Sequence, residues 1–274
     1  MTGTMIDLNN FIDRQFPGIG KGICKALYNF LAWRFQTQDW IFMNYGYADE
    51  NSNGKLQLAA EDEKNRYFIQ MYAQLLSQIE VEDRDILEVG CGRGGGSAWL
   101  ARSQKIRSMT GIDLSKNAIN LCQKLHQHKN LTYVQADAEQ LPFPDRSFDI
   151  VLNIESCHHY PSMPRFLEEV NRVLRPNRYF WMVDYREIDE IEKLKLDLDN
   201  ADLSLIQFTD ITANVVKALD LTESLKMELI QRHVPYFLLP LLKTFSAVKG
   251  TEVYKRFVQG QLIYVEALLK KTET

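Results

Sequence analysis

From Ile86 to Gly96 the chain reads Ile-Leu-Glu-Val-Gly-Cys-Gly-Arg-Gly-Gly-Gly, five glycines in seven positions directly after an apolar run. So dense a cluster suits a backbone that turns tightly and comes close to a ligand, where a Cβ would collide. A strand entering such a turn and a helix leaving it present free N–H groups and the positive end of a helix dipole. A carboxylate or phosphate is favoured there. Gly90, Gly92 and Gly95 also have the G-x-G-x-x-G spacing of dinucleotide sites. That spacing alone fits a structural turn as well, so the flanking sequence must decide.

The flanks are those of an alternating α/β chain. Strands are expected at Asp85–Val89, Met109–Asp113, Leu131–Gln135, Phe148–Ile154 and Tyr179–Asp184. Helical segments fall between them at Ser97–Ser103, Ser115–His126 and Met163–Leu174. Such alternation implies right-handed βαβ units and a parallel sheet. Residues 1–80 read as a helical, aromatic-rich lid, with a loop at Asn51–Lys55 and a helix at Ala59–Ile79. Residues 81–186 form the core. Residues 187–249 read as an inserted helical cap, with helices at Glu187–Leu198, Ile211–Leu219, Thr222–His233 and Phe237–Phe245. Residues 250–274 return to the sheet, with Gln261–Lys271 as an edge strand.

With 274 residues, of which 45% are hydrophobic, the chain can bury one sizeable core. A net charge of −4 gives no electrostatic reason to bind nucleic acid. Cys24, Cys91, Cys122 and Cys157 are too widely spaced for a metal cluster and read as reduced thiols of a cytoplasmic protein, so no metal is expected. Met1–Phe16 lacks the apolar core of a signal peptide, and no run reaches the roughly 20 apolar residues that span a bilayer. Lys21, Lys25 and Arg34 sit among the N-terminal aromatics, which leaves peripheral membrane contact open. A homodimer is open as well.

Asp113 ends the second strand, where its two oxygens can accept both hydroxyls of a ribose. Ser115 is placed to cap the following helix, which leaves Asp113 free for that role. Asp137 and Ala138 end the third strand, where a carboxylate can accept an adenine amino group and a backbone N–H can meet a ring nitrogen. Leu114 can pack on the purine face.

Several further stretches carry a resemblance. Asn44-Tyr45-Gly46-Tyr47, the glycine turn with Glu88 two residues ahead of it, and Asn153-Ile154-Glu155-Ser156-Cys157-His158-His159-Tyr160-Pro161 resemble class I S-adenosylmethionine (SAM)-dependent methyltransferases. So do Phe166 to Pro176, Arg232-His233-Val234-Pro235 and Gly250-Thr251-Glu252-Val253-Tyr254. Within that class the chain is similar, from about residue 40 onward, to the phthiotriolone/phenolphthiotriolone dimycocerosates O-methyltransferase family. The resemblance implies a Rossmann-like α/β fold with a seven-stranded, mostly parallel sheet, and SAM in place of NAD. It implies cofactor contacts from Glu88, Gly90, Cys91, Gly92, Asp113, Leu114, Asp137 and Ala138. Tyr45 can meet a sulfonium through its ring face, and Asn153 is either a contact to cofactor or substrate through the loop backbone or a structural residue. Arg175-Pro176-Asn177-Arg178 departs from the family's Arg-Pro-Gly-Gly turn, and Asn tolerates the left-handed conformation such a turn needs.

An alcohol is a weak nucleophile at neutral pH and benefits from a general base, a task suited to histidine. His158 follows the fourth strand and Asp184 ends the fifth, so the two can pair at adjacent strand ends. His159, Tyr47 and His233 are candidates for substrate contact. The expected function is O-methylation of a lipophilic small molecule with a His base. N- or C-methylation, or SAM binding without methyl transfer, are the alternatives.

Overall fold

The computed structural model describes residues 37, 39–49, 56–236 and 239–273. The N-terminal lid helix, its basic residues and the loop at Asn51–Lys55 lie outside these residues, as do Phe237 and Leu238. Seven strands form one sheet: β1 (Asp85–Val89), β2 (Ser108–Asp113), β3 (Leu131–Gln135), β4 (Phe148–Ile154), β5 (Leu174–Glu187), β6 (Leu203–Asp210) and β7 (Leu262–Lys271). Their order is β3-β2-β1-β4-β5-β7-β6, with β1 to β5 parallel and β7 antiparallel to both neighbours. The chain is therefore of the seven-stranded, Rossmann-like class. The order reverses between β1 and β4, which opens a crevice at their carboxyl ends.

Helices cover both faces: α1 (Arg66–Gln78), α2 (Gly95–Ser103), α3 (Lys116–Leu125), α4 (Met163–Val173), α5 (Ile191–Asp199), α6 (Thr212–His233), α7 (Leu239–Phe245) and α8 (Glu252–Val258). All seven residues of β4 are buried, as expected for a strand covered on both faces. Strand periodicity sorts the core. Ile86, Ile150, Leu152, Trp181 and Val183 pack with Met71 and Leu75 of α1 and Val215 of α6. Leu87, Val89, Val151, Phe180 and Met182 pack with Phe166 and Val170 of α4 and Leu194 of α5. Ser115 and Ser162 cap α3 and α4 by accepting the N–H groups of Ala118 and Arg165. At the amino ends of the strands, buried Asp149 accepts from Asp85 N at 3.0 Å and pairs with Arg175 at 2.7 Å and Arg178 at 2.9 Å. Asn177 adopts φ 60° in the turn between these arginines, the left-handed conformation expected of it.

The structure corrects several expectations. Residues 187–249 are not wholly helical, because Leu203–Asp210 is a strand. That strand takes the sheet edge, so Leu262–Lys271 is an interior strand between β5 and β6. A bulge between Leu205 and Gln207 breaks the two-residue alternation that would have marked β6. It also leaves Ile206 53% exposed on the edge, an apolar residue where the pattern needs a polar one. The two helices expected over Ile211–Leu219 and Thr222–His233 are one, α6. Thr222 donates its hydroxyl to Ala218 O four residues back, at 2.7 Å, and the helix continues through it. The expected helix at Ala59–Ile79 opens as a 3-10 turn, Ala60–Asn65, before α1 begins.

Leu152 sits in the middle of β4 and is fully buried. Leu152→Ala is expected to lower unfolding free energy by about 2–5 kcal/mol, read from denaturant midpoints at unchanged slope.

Candidate active site

The glycine turn links β1 to α2. Gly90 has φ 81°, and its N–H and that of Cys91 donate to Ile112 O at 2.9 and 2.8 Å, which ties the turn to β2. A Cβ at Gly90 would lie 2.0 Å from Ser156 Oγ, so the loop after β4 can close over the turn only because a hydrogen stands there. At Gly96 a Cβ would lie 1.8 Å from the Tyr72 ring of α1. Behind the turn, buried Glu88 accepts hydrogen bonds from Tyr72 Oη at 2.7 Å and from Ser97 Oγ. The segment before α1 lies over the front, where Gly95 N donates to Ile41 O at 3.1 Å and Arg93 donates to Trp40 O.

Asp113 accepts Gly92 N at 3.0 Å and Ser115 N at 2.8 Å. Burial raises its carboxyl to about 6 even though both backbone donors favour the ionised form. Leu114 is half-buried and accepts Gln135 Nε2 at 3.3 Å through its carbonyl. Asp137 closes a turn by accepting Glu139 N at 3.1 Å, and Ala138 is buried beside it. Gly90, Cys91, Gly92, Asp113, Leu114, Asp137 and Ala138 thus all lie in the turns that follow β1, β2 and β3. A glycine cradle closed to side chains and a buried carboxylate at the next strand end fit a nucleoside cofactor with a charged tail.

The carboxyl ends of β4 and β5 carry the second cluster. Asp184 is fully buried. Its Oδ1 bonds His158 Nδ1 at 2.6 Å and accepts Tyr185 N at 2.8 Å. Its Oδ2 accepts His158 N at 2.8 Å and Cys157 Sγ at 2.9 Å, and lies 3.2 Å from Arg186. Burial alone would raise this carboxyl. The neighbouring His158 and Arg186, with the His158 and Cys157 hydrogen bonds, hold it well below the usual range. His158 and Asp184 are therefore brought together, as the strand order implied. The His159 ring lies 3.9 Å from that of His158, centre to centre, and burial with His158 alongside lowers it to about 3.

Asn153 has its polar atoms engaged within the loop. It donates to Val89 O at 2.9 Å and to Tyr160 Oη at 3.0 Å, and accepts Cys157 N at 3.1 Å. Tyr45 is buried. Its N–H donates to Glu155 Oε1 at 2.5 Å, its hydroxyl donates to Phe245 O at 3.0 Å, and its ring stacks on Tyr185 at 6.0 Å. Tyr47 packs in the core, with its N–H bonded to Tyr67 O. His233 ends α6, and its Nε2 is buried without a hydrogen-bond partner among the described residues.

Sequence reasoning passed over Tyr185, Arg186 and Lys226. The first two directly follow Asp184 at a strand end, which was the available signal. Glu155 stands in the left-handed region at φ 48°, and burial raises its carboxyl to about 8.

Comparison with known proteins agrees with this geometry. Residues 87–182 match the family model described as a methyltransferase domain. Together, the sheet order and the glycine turn define a class I SAM-dependent methyltransferase, and SAM is its cofactor. The chain is 37% identical over 244 residues to the phthiotriol/phenolphthiotriol dimycocerosates methyltransferase of Mycobacterium leprae, covering 89% of this chain and 90% of that one. It is 38% identical over 225 residues to the fatty-acid O-methyltransferase of Mycolicibacterium smegmatis, covering 82% of each. The chain belongs to the methyltransferase family that contains these two enzymes. The solved structure of the [4+2]-cyclase SpnF shares its fold, with a TM-score of 0.68 at 16% identity over 92% of this chain and 96% of that one.

Gly90→Ala is expected to destabilise the protein by about 1–3 kcal/mol and to weaken SAM binding. Gly250 has a similar φ, 86°, and a Cβ added there would meet nothing within 4 Å. Gly250→Ala therefore isolates the backbone cost, and calorimetry should show the binding loss for Gly90→Ala alone.

Proposed function

We propose that this methyltransferase methylates a hydroxyl of a lipophilic small molecule, with His158 as general base. The observation that carries the reading is the 2.6 Å contact between His158 Nδ1 and the buried Asp184 carboxylate. An ionised carboxylate only accepts, so it fixes the ring proton on Nδ1 and leaves Nε2 with a free lone pair. That lone pair can take the alcohol proton as the oxygen attacks, and Asp184 stabilises the imidazolium that results. SAM supplies an activated sulfonium methyl with a neutral leaving group, so orientation accounts for much of the rate. Gly90 to Gly92 would hold its methionine tail, Asp113 its ribose, and Leu114, Asp137 and Ala138 its adenine. Support for a lipophilic substrate comes from the names of the relatives, which refer to dimycocerosates and fatty acids.

His158→Ala is expected to lower kcat by about 10²–10⁴ while the affinity for S-adenosylhomocysteine changes less than about threefold. Unchanged turnover would remove His158 from the mechanism. Incubation with methyl-labelled SAM and a lipid extract, followed by mass spectrometry, tests the reading as a whole. Label should appear on an oxygen of a lipid, and label confined to the cofactor would favour binding without transfer.

Ribose hydroxyls can donate to both oxygens of Asp113 only while it is ionised. Affinity for S-adenosylhomocysteine should therefore be flat above about pH 7 and weaken as pH falls through 6, approaching tenfold per unit below that. Titration calorimetry on the wild type and Asp113→Asn checks this. The variant should bind weakly, without that pH dependence, and a flat wild-type profile would exclude the ribose role.

A further inference from the structure

Beside the His158 cluster, on the other side of Tyr45, lies a small cavity of about 40 Å³. It is walled by the segment before α1, by α1, by α6 and by the end of α7. That volume holds a small polar group or a few waters and is too small for a lipid chain. Its walls are largely apolar, as at Phe42 and Phe68, and of the polar residues that line it (Asp39, Asn44, Asn65, Lys226 and Ser246) two bear on a ligand.

The first is Lys226 of α6, only 8% exposed. Its ammonium carries three donors, and the acceptor found for it is Ser246 O at 3.3 Å. The rings of Tyr45 and Phe68 lie 5.4 and 5.8 Å away. The second is Asn44, 7% exposed. Its Nδ2 donates to Phe68 O at 3.4 Å, while its Oδ1 is buried with no partner among the described residues. The cavity wall thus carries spare donors and a spare acceptor. Leaving such groups unmatched costs more than a made hydrogen bond returns, so the site favours a group that satisfies both.

We propose that Lys226 and Asn44 form a subsite for a neutral hydroxyl of the substrate, distinct from the hydroxyl presented to His158. A hydroxyl accepts from Lys226 and donates to Asn44 Oδ1. A carboxylate can only accept, and it would face Asn44 Oδ1 with the Glu155 carboxylate near enough to act on Lys226. Burial lowers Lys226 to about 7, and the nearby Glu155 offsets part of that fall. Tyr45 and Tyr185 stand between the two places: Tyr185 lies 4.3 Å from the His158 ring and stacks on Tyr45, and the Tyr45 ring lies 5.4 Å from the Lys226 ammonium. A substrate bearing two hydroxyls would present one to each side of this pair. The substrate class is therefore a lipid diol or polyol. This deepens the hydroxyl-methylating reading above and rests on it.

The test is calorimetric binding to the full chain saturated with S-adenosylhomocysteine. The probes are a long-chain primary alcohol, a set of diols of the same carbon count with varied spacing, and the matching fatty acid. At least one diol should bind about 5–100-fold more tightly than the mono-alcohol, the effect of one or two added hydrogen bonds. Lys226→Met should bring the two within about twofold of each other, while affinity for S-adenosylhomocysteine and the melting temperature are kept. Asn44→Ala should do the same, and it serves if Lys226→Met fails to fold. Equal binding of every diol and the mono-alcohol would overturn the proposal, as would a diol preference that survives both substitutions. Tightest binding by the fatty acid would overturn it in favour of an anion site. Failure of the O-methylation reading shows elsewhere, as label that never reaches an alcohol even where the diol preference holds.

Discussion

The site depends on how closely other parts of the chain approach the turn between β1 and α2. Ser156 stands where a Cβ of Gly90 would be, and the ring of Tyr72 stands where a Cβ of Gly96 would be. One contact brings the loop after β4 down onto the turn, and the other brings α1 up behind it. The loop after β4 carries His158, so a side chain at Gly90 would displace the candidate base along with the cofactor seat. Glu88 reinforces the same junction from beneath. Burial raises its carboxyl, against hydrogen bonds from Ser97 and Tyr72 that favour the ionised form. Those two donors come from α2 and α1, so the acid acts as a buried tie between helices and strand.

Asp184 fixes the other half. A fully buried carboxylate is costly unless cations and donors compensate it. Here the compensation comes from consecutive residues at both strand ends: Cys157 and His158 after β4, and Tyr185 and Arg186 at the end of β5. The same groups that keep Asp184 ionised therefore hold His158 by both its backbone and its ring. His159, one residue further, is kept neutral by burial and by the His158 ring beside it, which together outweigh the pull of Asp184.

What could be read from the sequence divides along the same line. The five parallel strands and the turns after β1, β2 and β3 were legible, because glycine density and strand-end acids are local signals with one dominant physical cause. The His158–Asp184 pairing was legible from adjacent strand ends together with the resemblance to O-methyltransferases that carry such a pair. β6 was not, because its bulge disrupts alternation and it lies between two helices. Lys226 left no trace, since a single lysine on a helix ordinarily lies on the solvated face. Only the packing of α6 against Tyr45 and Phe68 buries it. Asn153 was expected either to meet cofactor or substrate through the loop backbone or to be structural, and its amide bonds Val89, Tyr160 and Cys157. A side chain's free atoms are a tertiary property, and position along a strand does not report them.

This asymmetry bears on why family membership names the reaction more readily than the substrate. The cofactor half is recognised by backbone geometry, and backbone geometry constrains residue type strongly: glycine where φ is positive, a carboxylate where two donors converge. The proposed substrate half draws on Tyr45, Tyr185, Lys226 and Asn44, residue types that occur on any surface and acquire a role only when distant segments pack together. Tyr45 bonds Phe245, 200 positions away, and Glu155 holds Tyr45 across 110. Such contacts can be rearranged by substitutions in α6 or α7 without disturbing the glycine turn. Methyl transfer can persist through such changes while the group that receives the methyl differs. The related enzymes named for dimycocerosates and for fatty acids fit that division, since this chain resembles both to nearly the same degree.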